Sequence, residues 1–327
     1  MQIAVTGSIA MDHLMTFSGR FADSLVAAQL EHVSLSFLVD DLQIRRGGIG
    51  CNISFGLAAL GLRPLLVGSV GDDFVEYRAW LERHGVLTWP VRVSQTAHTA
   101  RFVVTTDADN AQIGSFYPGA MAEARVIELK PVADRVGQLD LVIVSPNDPE
   151  AMQRHTEECR SRGYPFIADP SQQLAWSSGD EIKRLIEGAT YLFSNEYEDG
   201  LISQKTGWTH EQILSKVGTR VITRGSEGAS VEVEGHPRID VGIAPESSRV
   251  DPTGVGDAFR AGFVAGLSWQ LPLERCAQLG SVLSSYVIAS VGPQEYRFNG
   301  TFLSRFEEAY GPDAAGDVAP YVRTLPL

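Results

Sequence analysis

The chain has 327 residues and is 44% hydrophobic, enough for one large α/β domain with an insertion or for two domains. Its 27 Lys and Arg residues against 40 Asp and Glu residues give a net charge of −13, which argues against a nucleic-acid or membrane-surface partner. The widely spaced Cys51, Cys159 and Cys276 argue against a disulfide framework or a zinc site. The first residues lack the features of a signal peptide, and no apolar run approaches the ~18 residues of a membrane span. We therefore expect a cytoplasmic protein.

Short apolar runs alternate with helical patterns through most of the chain. The predicted strands are Ile3–Thr6, Pro64–Gly68, Leu139–Val144, Pro165–Ala168, Tyr191–Ser194 and Arg220–Thr223. The predicted helices are Cys51–Leu60, Asp73–His84, Pro149–Arg162, Asp180–Glu187, Gly256–Leu267, Leu273–Ser290 and Phe302–Tyr310. This alternation predicts a doubly wound α/β fold, with a mostly parallel sheet and helices on both faces. The Pro-, Ala- and Gly-rich stretch 311–319 is predicted to be a loop.

Two segments break the alternation because they carry β-rich runs without intervening helices. These runs are Val33–Val39, Ala100–Thr105 and Gln112–Phe116. We interpret residues 12–45 and 88–118 as two insertions that form a small β-sheet lid. Residues 1–11, 46–87 and 119–327 then form the large domain. Because such a sheet has exposed edges and one apolar face, it is expected to cover a pocket, pair with a partner, or both.

Polar residues near the first strand suggest a binding site for hydroxyl groups. Arg46–Asn52 contains three glycines followed by Asn52 at a predicted helix start. The glycines permit close approach of a ligand, and the Asn52 amide can both donate to and accept from vicinal hydroxyls. Asp12 follows the first strand, where α/β sheets bind ligands. The alternatives are a turn with an Asn cap and a solvated carboxylate.

Two later motifs also lie at strand ends. Asn195 and Glu198 follow one strand, where Asn195 can contact a phosphate and Glu198 can hold a water bound to Mg²⁺. The alternative for this pair is a helix-capping arrangement. Thr223, Gly225 and Gly228 follow the next strand and suit a nucleoside triphosphate lying across the sheet edge. Their alternative is a hairpin turn into Ala229–Val233.

The segment Asp251–Asp257, with the sequence Asp-Pro-Thr-Gly-Val-Gly-Asp, is the most informative motif of the chain. Its glycines allow backbone N–H groups to converge at a helix start, where the partial positive charge favours an anion. Asp257 beside this position can accept a proton from a hydroxyl. The motif therefore indicates phosphoryl transfer to an alcohol, with a glycine-rich helix cap as the alternative.

Together these motifs resemble the ribokinase-like (PfkB) carbohydrate kinase family over nearly the whole chain. The order of Gly47-Gly48-x-x-x-Asn52, Asn195-x-x-Glu198, Thr223-x-Gly225-x-x-Gly228 and Asp251-x-x-Gly254-x-Gly256-Asp257 carries the resemblance. No P-loop motif is present, and no dinucleotide fingerprint follows the first strand. Further stretches resemble the bacterial ribokinase-like type of adenosine kinase: Ala4–Ala10 with Asp12–Leu14, Val33–Asp41, Thr96–Phe102, Ser115–Met121 and Asp169–Gln173.

The resemblance implies the reaction of ATP with adenosine to give ADP and AMP, a step of purine salvage. Asp257 would be the general base, and the amides of Gly254, Val255 and Gly256 would form the anion hole. Several relatives carry Ala or Gly where this chain has Val255, a change that keeps the backbone amide. The ribose would be held by Asp12, Gly48 and Asn52. The purine would lie against Phe102 and Phe116, surrounded by Ser8, Ser36, Met121, Gln172 and Gln173.

The resemblance also implies that Asn195, Glu198, Thr223, Gly225 and Gly228 serve ATP and Mg²⁺. Asp251 matches one ligand of a monovalent cation, such as K⁺, that activates many members of the family. The exposed edges of the lid suggest a homodimer. A flat apolar slot formed by Phe102, Phe116 and Met121 favours a purine, with core packing of the lid as the alternative. A kinase of another nucleoside or of a free sugar, and a non-catalytic ligand-binding protein, stay open.

Overall fold

The computed structural model of the chain describes residues 1–24, 36–323 and 325. Its strands are β1 (Ile3–Thr6), β2 (Ala10–Thr16), β3 (Asp41–Gly47), β4 (Leu65–Val67), β5 (Ser69–Val70), β6 (Arg92–Val93), β7 (Ala100–Thr106), β8 (Gln112–Tyr117), β9 (Leu141–Val144), β10 (Phe166–Ala168), β11 (Tyr191–Asn195), β12 (Thr219–Thr223), β13 (Ala229–Glu232) and β14 (Ile239–Val241). They form an eight-stranded sheet, a four-stranded sheet and a two-stranded sheet.

The helices are α1 (Phe21–Ser24), α2 (Ile49–Ala59), α3 (Val75–Arg83), α4 (Lys130–Val136), α5 (Pro149–Arg162), α6 (Gly179–Ile186), α7 (Glu196–Thr206), α8 (His210–Lys216), α9 (Val255–Ser268), α10 (Leu273–Val287), α11 (Phe302–Tyr310) and α12 (Pro312–Val322). Within the described residues, no helix is both long enough and apolar enough to cross a membrane.

The eight-stranded sheet has the strand order β14-β13-β12-β11-β10-β9-β1-β4. The six strands from β12 to β4 are parallel, and β13 and β14 are antiparallel additions at one edge. Parallel neighbours require crossover connections, which the intervening helices supply. The doubly wound prediction is therefore confirmed, and so is the hairpin from β12 into β13.

Two hydrophobic cores lie on opposite faces of this sheet. One contains the apolar sides of α2 and α9 to α12, and the other contains those of α4 to α8. Buried strand residues such as Val5 and Ile143 contact the first core, while Ala4 and Val142 contact the second. Because both faces are covered, these strands are continuous apolar runs in the sequence, which is why they could be predicted.

The prediction of a loop over 311–319 is wrong, because Pro312–Val322 forms α12. Pro312 stands in the first turn of the helix, where its missing N–H group costs nothing. Ala314, Ala315 and Val318 bury their side chains in the first core at helical spacing. Burial of this small-residue stripe outweighs the poor helix propensity of Pro320 and Gly316.

The four-stranded sheet, called the lid sheet below, has the order β3-β2-β7-β8. The β2–β7 pair is parallel, and the β2–β3 and β7–β8 pairs are antiparallel. The predicted small sheet is therefore present. Of the run Val33–Val39, which was predicted to be β-rich, residues 33–35 lie outside the described part, and residues 36–39 have no regular structure. The predicted domain boundaries and the homodimer stay predictions.

The close contact between α9 and α10 depends on two facing glycines. A Cβ atom at Gly262 would lie 2.5 Å from the carbonyl oxygen of Leu279, and one at Gly280 would lie 2.7 Å from that of Phe259. Since both obstacles are backbone atoms, a larger residue forces the two helices apart. The position of α9 in the fold is therefore set by small residues at this contact.

We expect Gly262→Ala to lower the free energy of unfolding by about 2 kcal/mol because of this overpacking. Gly316→Ala is the matched control, since a Cβ at this α12 position would meet nothing within 4 Å. The control should be neutral or stabilise by up to ~1 kcal/mol, through helix propensity alone. Urea denaturation measures both values, and equal stability of the two variants would contradict the account.

Candidate active site

A chain of hydrogen bonds fixes the carboxylate of Asp257 at the N-terminal end of α9. The amide Nδ2 of Asn52, in the first turn of α2, donates to Asp257 Oδ2 at 2.8 Å. The Nε2 of Gln294 donates to Asn52 Oδ1 at 2.9 Å and to the Tyr77 hydroxyl at 2.6 Å. The Tyr77 hydroxyl in turn donates to the carbonyl of Gly47 at 2.9 Å. Since Gln294 binds the oxygen of Asn52, the donor of that amide must face Asp257.

Gln294 and Tyr77 are members of this network that the sequence interpretation missed. Both are buried, with exposed fractions of 1% and 3%. They lie 217 residues apart in the chain and meet only in the folded structure. Tyr77 fits the apolar side of a predicted helix, and no motif marks Gln294, so neither position carried a sequence signal for this contact.

Burial dominates the electrostatics of Asp257, which is 9% exposed. Loss of solvent raises the pKa of this carboxyl group, and the nearby charge of Glu198 raises it further. The guanidinium of Arg260 and the hydrogen bond from Asn52 oppose the rise in pKa. A carboxylate with a raised pKa and a fixed orientation is suited to accept a proton from a substrate hydroxyl.

The residues that precede Asp257 form a turn suited to an anion. Gly254 has a φ of 77°, and a Cβ there would lie 2.4 Å from Cβ of Pro293. Within the described residues, the N–H groups of Gly254, Gly256 and Asp257 have no backbone acceptor. The N–H group of Val255 donates to the carbonyl of Pro252 at a longer 3.3 Å. The free amides at the helix start make this turn a candidate anion hole.

A cavity of about 370 Å³ opens beside this turn. Thr223 at the end of β12 and the two glycines of the following turn, Gly225 and Gly228, line one side of it. Val255 and Gly256 of α9 line the other side, next to Phe259. The structure therefore brings the predicted ATP-binding residues of the β12 turn and the candidate anion hole to a single cavity.

Asn195 and Glu198 form a capping box at the start of α7. Asn195 Oδ1 accepts from the Glu198 backbone N–H at 2.8 Å, and Glu198 Oε2 accepts from the Asn195 N–H at 2.9 Å. The capping alternative is therefore what the structure shows for these atoms. Asn195 also pairs with Thr223 across β11 and β12, which places it next to the strand end that lines the cavity.

Two further carboxylates, those of Glu198 and Asp169, act on the environment of Asp257. Glu198 is 8% exposed and accepts a hydrogen bond from the Ser171 hydroxyl at 3.1 Å. Its charge acts on both Asp169 and Asp257, whose pKa values are raised first by burial. Among the described residues, Arg260 is a cation on which all three carboxylates act. Mg²⁺ keeps several of its waters when bound through one or two carboxylates, and Glu198 would hold it through such a water.

Asp251 does not fit a bare monovalent cation site in this structure. Its Oδ2 accepts from Arg45 Nη1 and from the Gly292 N–H, both at 3.1 Å, and its Oδ1 accepts from the Thr253 N–H at 2.9 Å. These donors hold the pKa of Asp251 below its ordinary value despite partial burial. A guanidinium against the carboxylate disfavours a second cation there.

Ser8 and Gly48 shape the start of α2. The Ser8 hydroxyl accepts from the Ile49 N–H at 3.0 Å, so this side chain caps the helix. Gly48 has a φ of 92°, and a Cβ there would lie 2.5 Å from the Ser8 carbonyl oxygen. The contact requires glycine between β3 and α2, and it sets Asn52 one turn into the helix.

A row of four paired residues crosses the lid sheet. Arg45 pairs with Asp12, Asp12 pairs with Phe102, and Phe102 pairs with Phe116. Directly paired residues of neighbouring strands point to the same face of a sheet. Arg45 also contacts Asp251, which lies in the loop before α9. This face of the lid sheet is therefore turned toward the loop that leads to Asp257.

The two phenylalanine rings of this row expose much of their surface: Phe102 is 38% exposed and Phe116 is 50% exposed. Neither ring therefore packs inside the lid sheet as a core residue would. Met121 packs with Ala10 and Ala100, which belong to the adjacent row of the same face. These three apolar side chains are those of the predicted purine slot, and they offer flat apolar surface on or beside one face of the lid sheet.

Asp12 is the acidic member of the row, and its pKa is shifted from the ordinary value. Partial burial raises the pKa of Asp12 to about 6, and the charge of Asp251 adds to this rise. Arg45, its cross-strand neighbour, opposes the rise in pKa. A Cβ at Gly47 would lie 2.5 Å from Asp12 Oδ2, so the backbone of β3 closes over this carboxylate.

Three predicted purine-binding residues are not brought to this slot by any described contact. Gln173 Nε2 donates to the carbonyl of Asn147 at 3.1 Å, and its side chain borders a groove between α5 and α6. Gln172 is exposed in a short 3₁₀ turn, and Ser36 is exposed in a segment without regular structure. Their roles stay predictions.

Comparisons with known proteins point to phosphoryl transfer. The family described as pfkB family carbohydrate kinase matches residues 4–297. A nucleoside kinase of Methanothermobacter thermautotrophicus is 31% identical over 269 residues, 81% of this chain and 85% of that protein. A ribokinase of Bacillus subtilis is 26% identical, over 89% of this chain and 94% of its own length.

A solved structure supports the same comparison. The nucleoside kinase of Burkholderia thailandensis in complex with inosine is 36% identical and has a TM-score of 0.81. The similarity covers 95% of this chain and 98% of that chain. Both the sheet topology and the lid sheet therefore belong to an architecture that a nucleoside-bound kinase shares.

Proposed function

The chain belongs to the pfkB family of carbohydrate kinases, and we propose that it transfers the γ-phosphoryl group of ATP to the 5′-hydroxyl of a purine nucleoside. Adenosine is the expected substrate, which would give the protein a role in purine salvage. The observation that carries the proposal is the row on the lid sheet, which puts Asp12 on the same face as Phe102 and Phe116.

This row supports a nucleoside because it combines two kinds of recognition. Asp12 can accept hydrogen bonds from the two ribose hydroxyls, and the amide of Asn52 lies close to Asp257, the candidate catalytic base. Phe102 and Phe116 offer flat apolar surface to the purine. A free sugar would use Asp12 and leave both rings exposed to water. Two named nucleoside kinases among the relatives favour the same substrate class.

The rings recognise the face of a purine and do not read its edge. The residues expected to read the edge, Gln172 and Gln173, have no described contact with the slot. Inosine in the related structure from Burkholderia thailandensis supports a slot that accepts more than one purine. The proposal therefore covers purine nucleosides as a class, with adenosine as the first to test.

In the proposed reaction, Asp257 accepts the proton of the 5′-hydroxyl while that oxygen attacks the γ-phosphorus in line. Asn52 holds the carboxylate in place through its 2.8 Å hydrogen bond. The N–H groups of Gly254 and Gly256 stabilise the negative charge on the phosphoryl oxygens. Mg²⁺ held through water by Glu198 would neutralise part of the charge on ATP. The lid sheet excludes water, which would otherwise accept the phosphoryl group.

An ADP-release assay with ATP and Mg²⁺ tests the substrate class across adenosine, inosine, guanosine, ribose and fructose. We expect kcat/KM for a purine nucleoside to exceed that for ribose by on the order of 100-fold, because two aromatic side chains stabilise the bound purine ring. Phe102→Leu should reduce the nucleoside value and leave the ribose value unchanged. A higher kcat/KM for ribose or fructose would identify a sugar kinase and remove the purine role of both rings.

The raised pKa of Asp12 predicts a pH dependence of nucleoside binding. As pH falls through about 6, Asp12 takes up a proton and loses the charge that accepts the ribose hydrogen bonds. The dissociation constant of adenosine should therefore rise about tenfold between pH 7.5 and pH 5. Titration calorimetry measures it, with Asp12→Asn as the control, whose weaker binding should lack this dependence. The same slope in both proteins would show that another group titrates.

A further inference from the structure

A buried ion pair lies next to the candidate base. Nη2 of Arg260 contacts Oδ1 of Asp169 at 2.6 Å, and the two side chains are 9% and 1% exposed. Asp169 directly follows β10, and Arg260 lies in α9, one turn after Asp257. The proposed reaction assigns no role to either residue.

The backbone of α9 leaves space for this guanidinium. Side chains of a helix lean toward its N-terminal end, so the side chain of Arg260 extends back over Gly256. A Cβ at Gly256 would lie 2.9 Å from Arg260 Nη1. The second glycine of the anion-binding turn therefore also leaves room for the cation, which lies just behind the amides of that turn.

The side chains around Arg260 carry more negative than positive charge. Asp169, Asp257 and Glu198 all act on the guanidinium, from β10, α9 and α7. The other polar side chain that acts on Asp257 is Asn52 from α2, which is neutral. An arginine stays protonated in proteins, and a charge in a water-poor site acts more strongly than one in solvent. Arg260 is thus a permanent positive charge among three carboxylates.

We propose that Arg260 is a positioning residue for phosphoryl transfer, held by Asp169 so that its charge stabilises the carboxylate of Asp257. The ion pair with Asp169 directs the guanidinium to that partner, so the oxygens of Asp257 stay available to Asn52 and the substrate hydroxyl. This inference rests on the proposed function, since it assumes that Asp257 is the base.

A neutral pair of substitutions separates this role from a structural one. Arg260→Gln alone leaves the buried Asp169 carboxylate without its charged partner, and we expect the melting temperature to fall by roughly 10 °C. Combining Arg260→Gln with Asp169→Asn removes both charges and should restore the melting temperature. If Arg260 acts on Asp257, the double variant stays on the order of 100-fold lower in kcat than the wild type. Its nucleoside KM should stay within about threefold of the wild-type value.

Two further comparisons complete the experiment. Arg260→Lys keeps the charge, so its kcat should exceed that of Arg260→Gln at least tenfold, a result that does not require the double variant to fold. Arg275→Gln with Asp317→Asn is the matched control, because this half-buried ion pair joins α10 and α12 away from Asp257. The control should keep the wild-type kcat.

The outcomes distinguish the two proposals. Wild-type turnover of a purine nucleoside is measured first, and its absence would remove the proposed function itself. If the wild type turns over and the neutral pair is equally active, Arg260 and Asp169 are structural and the inference is wrong. Equal activity of Arg260→Lys and Arg260→Gln would overturn it as well, because charge would then be irrelevant.

Discussion

The hydrogen bond between Asn52 and Asp257 joins the two helices on which the rest of the candidate site depends. Both helices begin at the same edge of the main sheet, and they pack so closely that a Cβ at Gly56 of α2 would lie 2.6 Å from Cβ of Ala261 in α9. Since α2 starts directly after β3, the bond also connects Asp257 to the base of the lid sheet. A carboxylate held by two converging helices loses little freedom when it accepts a proton, which favours preorganised chemistry.

Strand register is the second constraint, because it decides which lid residues face Asp257. The pairing of β2 with β7 sets Asp12 opposite Phe102, and a shift by one residue would turn both side chains to the other face. The contact of Arg45 with Asp251 holds this face toward the loop before α9. The residues proposed to bind the nucleoside are therefore coupled to the candidate base through backbone pairing, whereas the candidate anion hole depends on the glycine turn before α9.

The sequence predicted those parts of the fold whose burial has a simple period. The six parallel strands of the main sheet and most helices were predicted because each buries one face or both. The edge strand β14 was not predicted. The strands β2 and β3 were missed because polar residues such as Asp12, Arg45 and Arg46 interrupt their alternation. α12 was missed because its Pro and Gly content is typical of loops, although its small apolar residues follow a helical spacing.

The candidate site divides in a similar way. Asp257, Asn52 and the glycines stood in local motifs, so the sequence could single them out. Gln294 contacts Asn52, and Tyr77 contacts Gln294, only through tertiary packing. The partner of Arg260 is Asp169, which lies 91 residues away in the chain. The sequence offered no local pattern for these contacts. Gln173 is the opposite case, because it stands in a plausible local motif but is turned elsewhere. Its side-chain amide donates a hydrogen bond to the carbonyl of Asn147, and its side chain borders a different groove.

Asp257 is proposed to perform the chemistry while other residues bind the nucleoside. The most direct test compares Asp257→Asn with the wild type, using single-turnover phosphorylation for the chemical step and calorimetry for adenosine affinity. We expect the rate of the chemical step to fall at least about 1,000-fold, with the dissociation constant within roughly threefold of the wild-type value. A chemical step within tenfold of the wild type would show that another group is the base.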